Sequence, residues 1–317
     1  MARVPNPSRA RVTGVLAIAI VAVSLAAIFI RFADAPGVVV ALWRMAIAAL
    51  VLGPFTVRAL RRSPLRAETL WPTLLAGGLL GLHFATWITS LSYTTVAASV
   101  TLVATIPLWV ALFSWLFLGR APTLTVLFGV LVAVAGGAVI AFGDLAGATA
   151  TTATPRPLLG NALALVGAMA AAGYLLLGRT AQARGLNLQA YVGVAYAVAA
   201  IVLVPWPLVF GVPYLGYALE TFLWIALLAL VPQLIGHTGI NYAMKHLDPT
   251  RVATATLLEP VGAGILAVAL FGELPGPLTL VGAAIVLLGV LMTTRGRGIV
   301  AAVPVVAGDV AGDEDPR

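Results

Sequence analysis

Leu257-Leu258-Glu259-Pro260-Val261-Gly262-Ala263-Gly264 sets a carboxylate directly before a proline, inside an apolar run from Val252 to Phe271. A run of that length can cross a bilayer, because a helix of roughly 20 residues rising about 1.5 Å each spans the hydrocarbon. Glu259 therefore lies within the membrane, where a charge costs roughly 2.5 to 3.5 kcal/mol on insertion scales and persists where it meets a cavity or a partner. Pro260 lacks an N–H and leaves the carbonyl of Thr256 without its helical donor, an opening that hydrocarbon tolerates only where protein or water answers it. Together they point to an interior cavity and predict a helix break at Pro260.

The stretch has an earlier echo. Pro107, Gly119, Pro122, Leu127, Gly129 and Gly136 recur without a gap as Pro260, Gly272, Pro275, Leu280, Gly282 and Gly289, each 153 positions later (260 − 107 = 153). The chain thus reads as a duplication, and Pro107 becomes the predicted break of the first copy. Internal similarity between two hydrophobic halves marks transporter folds whose sites lie at mid-membrane, where interrupted helices meet.

Composition agrees. With 61% hydrophobic and 9% charged residues, the chain departs from soluble domains, which carry about 25% charged residues. It has no cysteine, which excludes disulfides, thiolate catalysis and cysteine-ligated metals. The net charge of +7 comes from arginines in short runs between apolar segments, where they act as topology signals rather than as a nucleic-acid surface.

Between charged or turn-rich breaks there are ten apolar spans: 12–30, 37–57, 70–92, 96–118, 124–143, 158–178, 190–210, 221–244, 252–271 and 277–294. Each is of helix length, so the expected fold is an all-α membrane protein of ten transmembrane helices. With the N-terminus inside, Arg3, Arg9, Arg11, Arg58, Arg61, Arg62, Arg66, Arg120, Arg179, Arg184, Lys245, Arg251, Arg295, Arg297 and Arg317 fall on the inner side, fifteen of eighteen basic residues. Both termini are then cytoplasmic. An odd number of spans per half makes the two five-helix repeats inverted. The expected division is a first repeat at 1–143, an external linker at 144–157, a second repeat at 158–294 and a cytoplasmic tail at 295–317.

Within the membrane, Glu259 is expected to meet a cationic group on substrate or to take up a coupling proton; the plainer reading is a carboxylate bonded to hydroxyls such as Thr256. Arg44 could bind a substrate carboxylate or pair with Glu259, although a long arginine near a span end more commonly snorkels to outer water or helix-end carbonyls. His83 and Trp87 share one face of the third span, and Gln233, His237 and Asn241 repeat at four-residue spacing in the eighth. His83 and Gln233 are expected to line the cavity, and Asn241 to bind helices together. Trp109, two residues after Pro107, could stack on a planar or apolar solute. The expected substrate site is therefore His83, Trp87, Trp109, Gln233, His237 and Glu259, with Arg44 as a charge partner. Its few charges and central aromatic suit a small, largely apolar, at most zwitterionic solute.

No Walker sequence is present, and the residues call for no cofactor, metal or catalytic group. One carboxylate and two histidines on separate spans supply no nucleophile with its base, which weighs against a membrane-embedded enzyme.

Two segments resemble a known family. Trp87-Ile88-Thr89-Ser90-Leu91-Ser92-Tyr93-Thr94-Thr95-Val96-Ala97-Ala98-Ser99 through Pro107 to Leu118-Gly119-Arg120 resembles the EamA module of the drug/metabolite transporter superfamily. Asn241-Tyr242-Ala243-Met244-Lys245 through Leu258-Glu259-Pro260 to Phe271-Gly272-Glu273 matches that pattern more closely, and Trp43-Arg44 fits as well. The likeness covers residues 12 to 294. Arg120 stands where the module usually has the Glu of Gly272-Glu273, and Ile106 where it has the Glu of Leu-Glu-Pro. The resemblance implies an inner-membrane carrier of inverted five-helix repeats, often an exporter of amino acids, aromatic ones among them; a carrier or importer of another small metabolite is the alternative.

Overall fold

Proline and glycine punctuate the chain, and helices fill the intervals. In a computed structural model, residues 8–119, 121–145, 156–247, 252 and 255–295 are described. Arg120, most of the 144–157 linker, the 296–317 tail and the side chain of Asn241 lie outside the described residues. Nine helices among the described residues are long and apolar enough to cross a membrane: α1 (Arg9–Phe32), α2 (Gly37–Arg62), α3 (Ala67–Ser90), α4 (Val96–Leu118), α5 (Leu124–Gly143), α6 (Pro157–Ala183), α7 (Leu188–Val209), α8 (Leu219–Ile240) and α10 (Pro277–Arg295). Between the last two lies α9 (Leu258–Phe271), an apolar helix of 14 residues. No strand occurs among the described residues.

Local chemistry explains the ends. Ser8, Thr95 and Asn187 each accept a hydrogen bond from a backbone N–H in the first turn of the helix that follows, which satisfies a donor that no helix can satisfy internally. Gly119 and Gly272, at corresponding positions of the two halves, close α4 and α9 in the left-handed conformation, with φ of 64° and 62°, where any side chain would be strained.

The breaks follow from proline as well. A proline ring clashes with the carbonyl four residues back, and α4 is interrupted at Ala104–Thr105, just before Pro107. The ninth helix begins after a turn at Leu257, three residues before Pro260. That is why α9 is shorter than the 252–271 run. In α8 the winding changes to a π-helix over Ala229–His237, around Pro232, since a wider turn accommodates the missing N–H.

Helix pairing repeats across the halves. The pairings α5·α10, α2·α7 and α4·α9 join corresponding helices, and α3·α6 is matched by α8·α1. In the α5·α10 seam a Cβ on Gly136 would lie 2.8 Å from the carbonyl oxygen of Gly282, and one on Gly289 would lie 2.5 Å from that of Gly129. The contacts run in opposite order along the two helices, so α5 and α10 are antiparallel. Only glycine lets two backbones approach this closely.

The main core gathers side chains of α1, α2, α3, α7, α8 and α9, including Ile28, Met45, Phe84, Ile88, Leu203 and Ile225. Large apolar residues such as Leu50, Phe55, Leu116, Phe128, Leu131, Ile201, Ile265 and Leu288 are exposed instead. In water such a belt would be a liability; in lipid it is the solvent-matched surface.

Candidate functional site

Arg44 is fully buried on α2. Instead of reaching outer water it turns inward. Its Nε and Nη2 donate to Gln233 Oε1 of α8 at 3.1 and 2.6 Å, and Gln233 Nε2 donates to the hydroxyl of Tyr196 on α7. The guanidinium carbon lies 4.1 Å from the centroid of the Phe84 ring and 5.8 Å from that of Trp87. A residue of the first half is thus held by two of the second.

His83 is also buried, and its Nδ1 lies 2.9 Å from the carbonyl oxygen of Gly167 on α6. A carbonyl only accepts, so Nδ1 carries the proton. Gly167 permits the approach, because a Cβ there would meet Trp87 Cβ at 3.2 Å. The His83 ring stacks on Trp87, centroids 5.8 Å apart and planes 11° from parallel. Trp87 Nε1 and Arg44 Nη1 are buried donors without a hydrogen-bond partner among the described residues.

Glu259 is half-buried at the start of α9, in the first turn after the break. The hydrogen bond seen there falls on its backbone carbonyl, which accepts from Ser24 Oγ of α1 at 3.4 Å. No salt bridge holds its carboxylate among the described residues, yet it is close enough to feel the charge of Arg44. His237, at the end of the π-helix, is exposed. Trp109 stands apart: its Nε1 donates to Thr105 Oγ1 at 3.2 Å and its ring neighbours Phe113.

A second polar cluster joins the helix ends on one face, and sequence reasoning missed it. Arg31, at the end of α1, pairs through Nη2 with Glu273 Oε2 at 3.2 Å and donates to the carbonyl of Thr94 at 3.1 Å. Glu273 Oε1 accepts from Val96 N, at the N-terminus of α4, at 2.5 Å, where a helix favours negative charge. Burial pushes the Glu273 carboxyl above its ordinary range, and Arg31 and the Val96 amide pull it back. On the opposite face the loops after α2 and α6 meet: Ser63 Oγ donates to the Gly185 carbonyl at 3.2 Å, and Arg184 Nη1 donates to that of Glu68 at 2.8 Å.

Comparison with known proteins gives the arrangement a context. An "Uncharacterized transporter" of Archaeoglobus fulgidus is 32% identical over 93 residues, 29% of this chain and 32% of that protein. A "Probable terminal-alkyne amino-acid exporter" of Streptantibioticus cattleyicolor is 31% identical over 197 residues, 61% of this chain and 62% of that protein. The chain spans less than two thirds of either relative. A solved crystal structure shares the fold, with a TM-score of 0.60 at 20% identity over 90% of this chain and 97% of that one. The sequence model of the EamA-like transporter family matches residues 12–142 and 158–295. Matched across both halves, this multi-pass membrane chain belongs to the EamA-like transporter family, of the drug/metabolite transporter superfamily.

Proposed function

We propose that the chain is a secondary exporter of small metabolites, amino acids with aromatic or other apolar side chains, working by alternating access across the inner membrane. The observation that carries the reading is the buried bridge from Arg44 to Gln233 and Tyr196. Buried polar groups are costly unless they serve one another or a cavity, and this bridge joins the halves where a carrier must open and close. His83, Trp87, Gln233, His237 and Glu259 are the proposed substrate surface, with Glu259 also the seat of a coupling proton. The partners of Trp109 support a packing role for it better than a stacking one. The name of the Streptantibioticus relative adds support for amino acids as the solute class. The test is the purified protein in liposomes loaded with labelled amino acids and other metabolites. Downhill efflux of an unaltered amino acid is the expected result; chemical change of the solute, or no flux across the panel, refutes the reading.

The proposed topology is ten spans, counting α9 with the turn before it, as two inverted five-helix repeats at 1–143 and 158–294. The 144–157 linker lies outside and both termini lie in the cytoplasm. The clustering of the basic loops after α2 and α6 on one face supports it. A cysteine placed at Leu215 should react with an impermeant reagent in intact cells, and one at Ser63 only after permeabilisation. The reverse pattern would turn the orientation over.

A further inference from the structure

We propose that Arg44 Nη1 and Trp87 Nε1 form the docking pair for a single carboxylate on the transported solute, with Gln233 and Tyr196 as positioning residues. The proposal rests on the transport reading above and names the chemical group that its site takes. Three observations carry it. The guanidinium has no counter-charge at contact distance: no salt bridge among the described residues includes Arg44, and its bonded partner, Gln233, is a neutral amide. A buried cation without an anion is strongly disfavoured unless something supplies one.

The two unsatisfied groups that flank this bridge are also of one kind. Arg44 Nη1 and Trp87 Nε1 are buried without partners among the described residues, on side chains whose guanidinium carbon and ring centroid are 5.8 Å apart. Both can only donate, so the absent group must be an acceptor. Water could accept from either but brings no charge.

Finally, both donors are held in place. Gln233 fixes two of the three guanidinium nitrogens and is itself tied to Tyr196, while the stacked ring of His83, anchored to Gly167, fixes the indole plane. The remaining edge suits the two oxygens of a carboxylate. A dianion such as a phosphate monoester fits poorly, because one arginine answers it and Glu259 is near enough to repel it. Glu259, with no salt bridge among the described residues, suits the ammonium of the same zwitterion. Both donors are sealed in this conformation, so a solute reaches them only when the halves part.

The experiment measures thermal shift of the full-length protein in detergent with 3-phenylpropionate, L-phenylalanine and phenethylamine, which differ in the groups at issue. At about ten times its Kd, each of the two carboxylates should raise the wild-type Tm by about 2 °C, and phenethylamine should not. Arg44→Gln should weaken 3-phenylpropionate about 100-fold. Trp87→Phe keeps the ring and loses the N–H, so about tenfold weakening is expected there; this variant also decides the question if Arg44→Gln fails to fold. Stabilisation by phenethylamine equal to that by 3-phenylpropionate, no shift from either carboxylate at 10 mM, or unchanged carboxylate affinity in both variants overturns the proposal. Flux of a solute lacking a carboxylate in the liposome panel overturns it too, while leaving the transport reading intact.

Discussion

Glu259→Gln is expected to lower solute flux about tenfold to hundredfold while leaving the yield of folded protein unchanged. The replacement keeps the size and hydrogen-bonding reach of the side chain and removes its charge. The fold should tolerate it, because no salt bridge at Glu259 exists among the described residues and the hydrogen bond with Ser24 is made by the backbone carbonyl. Transport should not tolerate it. A charge-assisted hydrogen bond to an ammonium is worth about 1.5 to 3 kcal/mol, which is that factor in rate or affinity. A side chain that cannot ionise also cannot carry a coupling proton, so the residual flux should lose the pH dependence of the wild type. Efflux from liposomes at several internal and external pH values is the measurement. A folded variant that matches wild-type flux at each pH would return Glu259 to a structural role.

Gly289→Leu should act at the other extreme and remove most of the folded protein. A Cβ at that position would lie 2.5 Å from the Gly129 carbonyl oxygen and 2.5 Å from the Ala133 nitrogen, both backbone atoms of α5. Backbone cannot rotate away as a side chain can, so α5 and α10 would have to separate along the seam. Overpacking of this kind costs about 3 kcal/mol or more, a large share of the total stability of an ordinary domain. Gly14→Leu is the control, since Gly14 is exposed and a Cβ there meets nothing within 4 Å. Monodisperse yield on size-exclusion chromatography should fall for the first and hold for the second. Equal yields would mean that the seam is looser than its contacts indicate.

How much of this was legible depends on how local each signal is. Pro107 and Pro260 announce breaks because the clash is with their own chain a few residues back, and the duplicated glycines announce a close helix contact because few other roles require them inside apolar spans. Gln233 could be read as interior from its setting. The partner it found could not, because the stem of Arg44 is long enough to reach water from the same backbone position, and only the packing of α2 against α7 and α8 decides the direction. Tyr196 gave no signal at all; a tyrosine in an apolar span reads equally well as packing.

His237 shows a different difficulty. His237 follows Gln233 by four residues and stays near its face in the π-helix at Ala229–His237, yet Gln233 is buried and His237 exposed, so depth along the span and not the face alone decides burial. Arg31 and Glu273 were each visible alone, the one as a topology charge and the other within a family motif. Nothing in either neighbourhood records that they meet across 242 positions.

The Arg31–Glu273 pair has no mirror image. Moving Arg31 forward by 153 gives Arg184, and moving Glu273 back by 153 gives Arg120, so the corresponding positions hold two cations. The face with the acid is held by an ion pair and a helix N-terminus; the loops of the other are joined by neutral acceptors, the carbonyls of Gly185 and Glu68. A cycle that closes the two faces in turn would then not be level. An ion pair is lost when either partner is neutralised and a hydrogen bond to a backbone carbonyl is not, so the Arg31–Glu273 face alone should loosen with acid or salt.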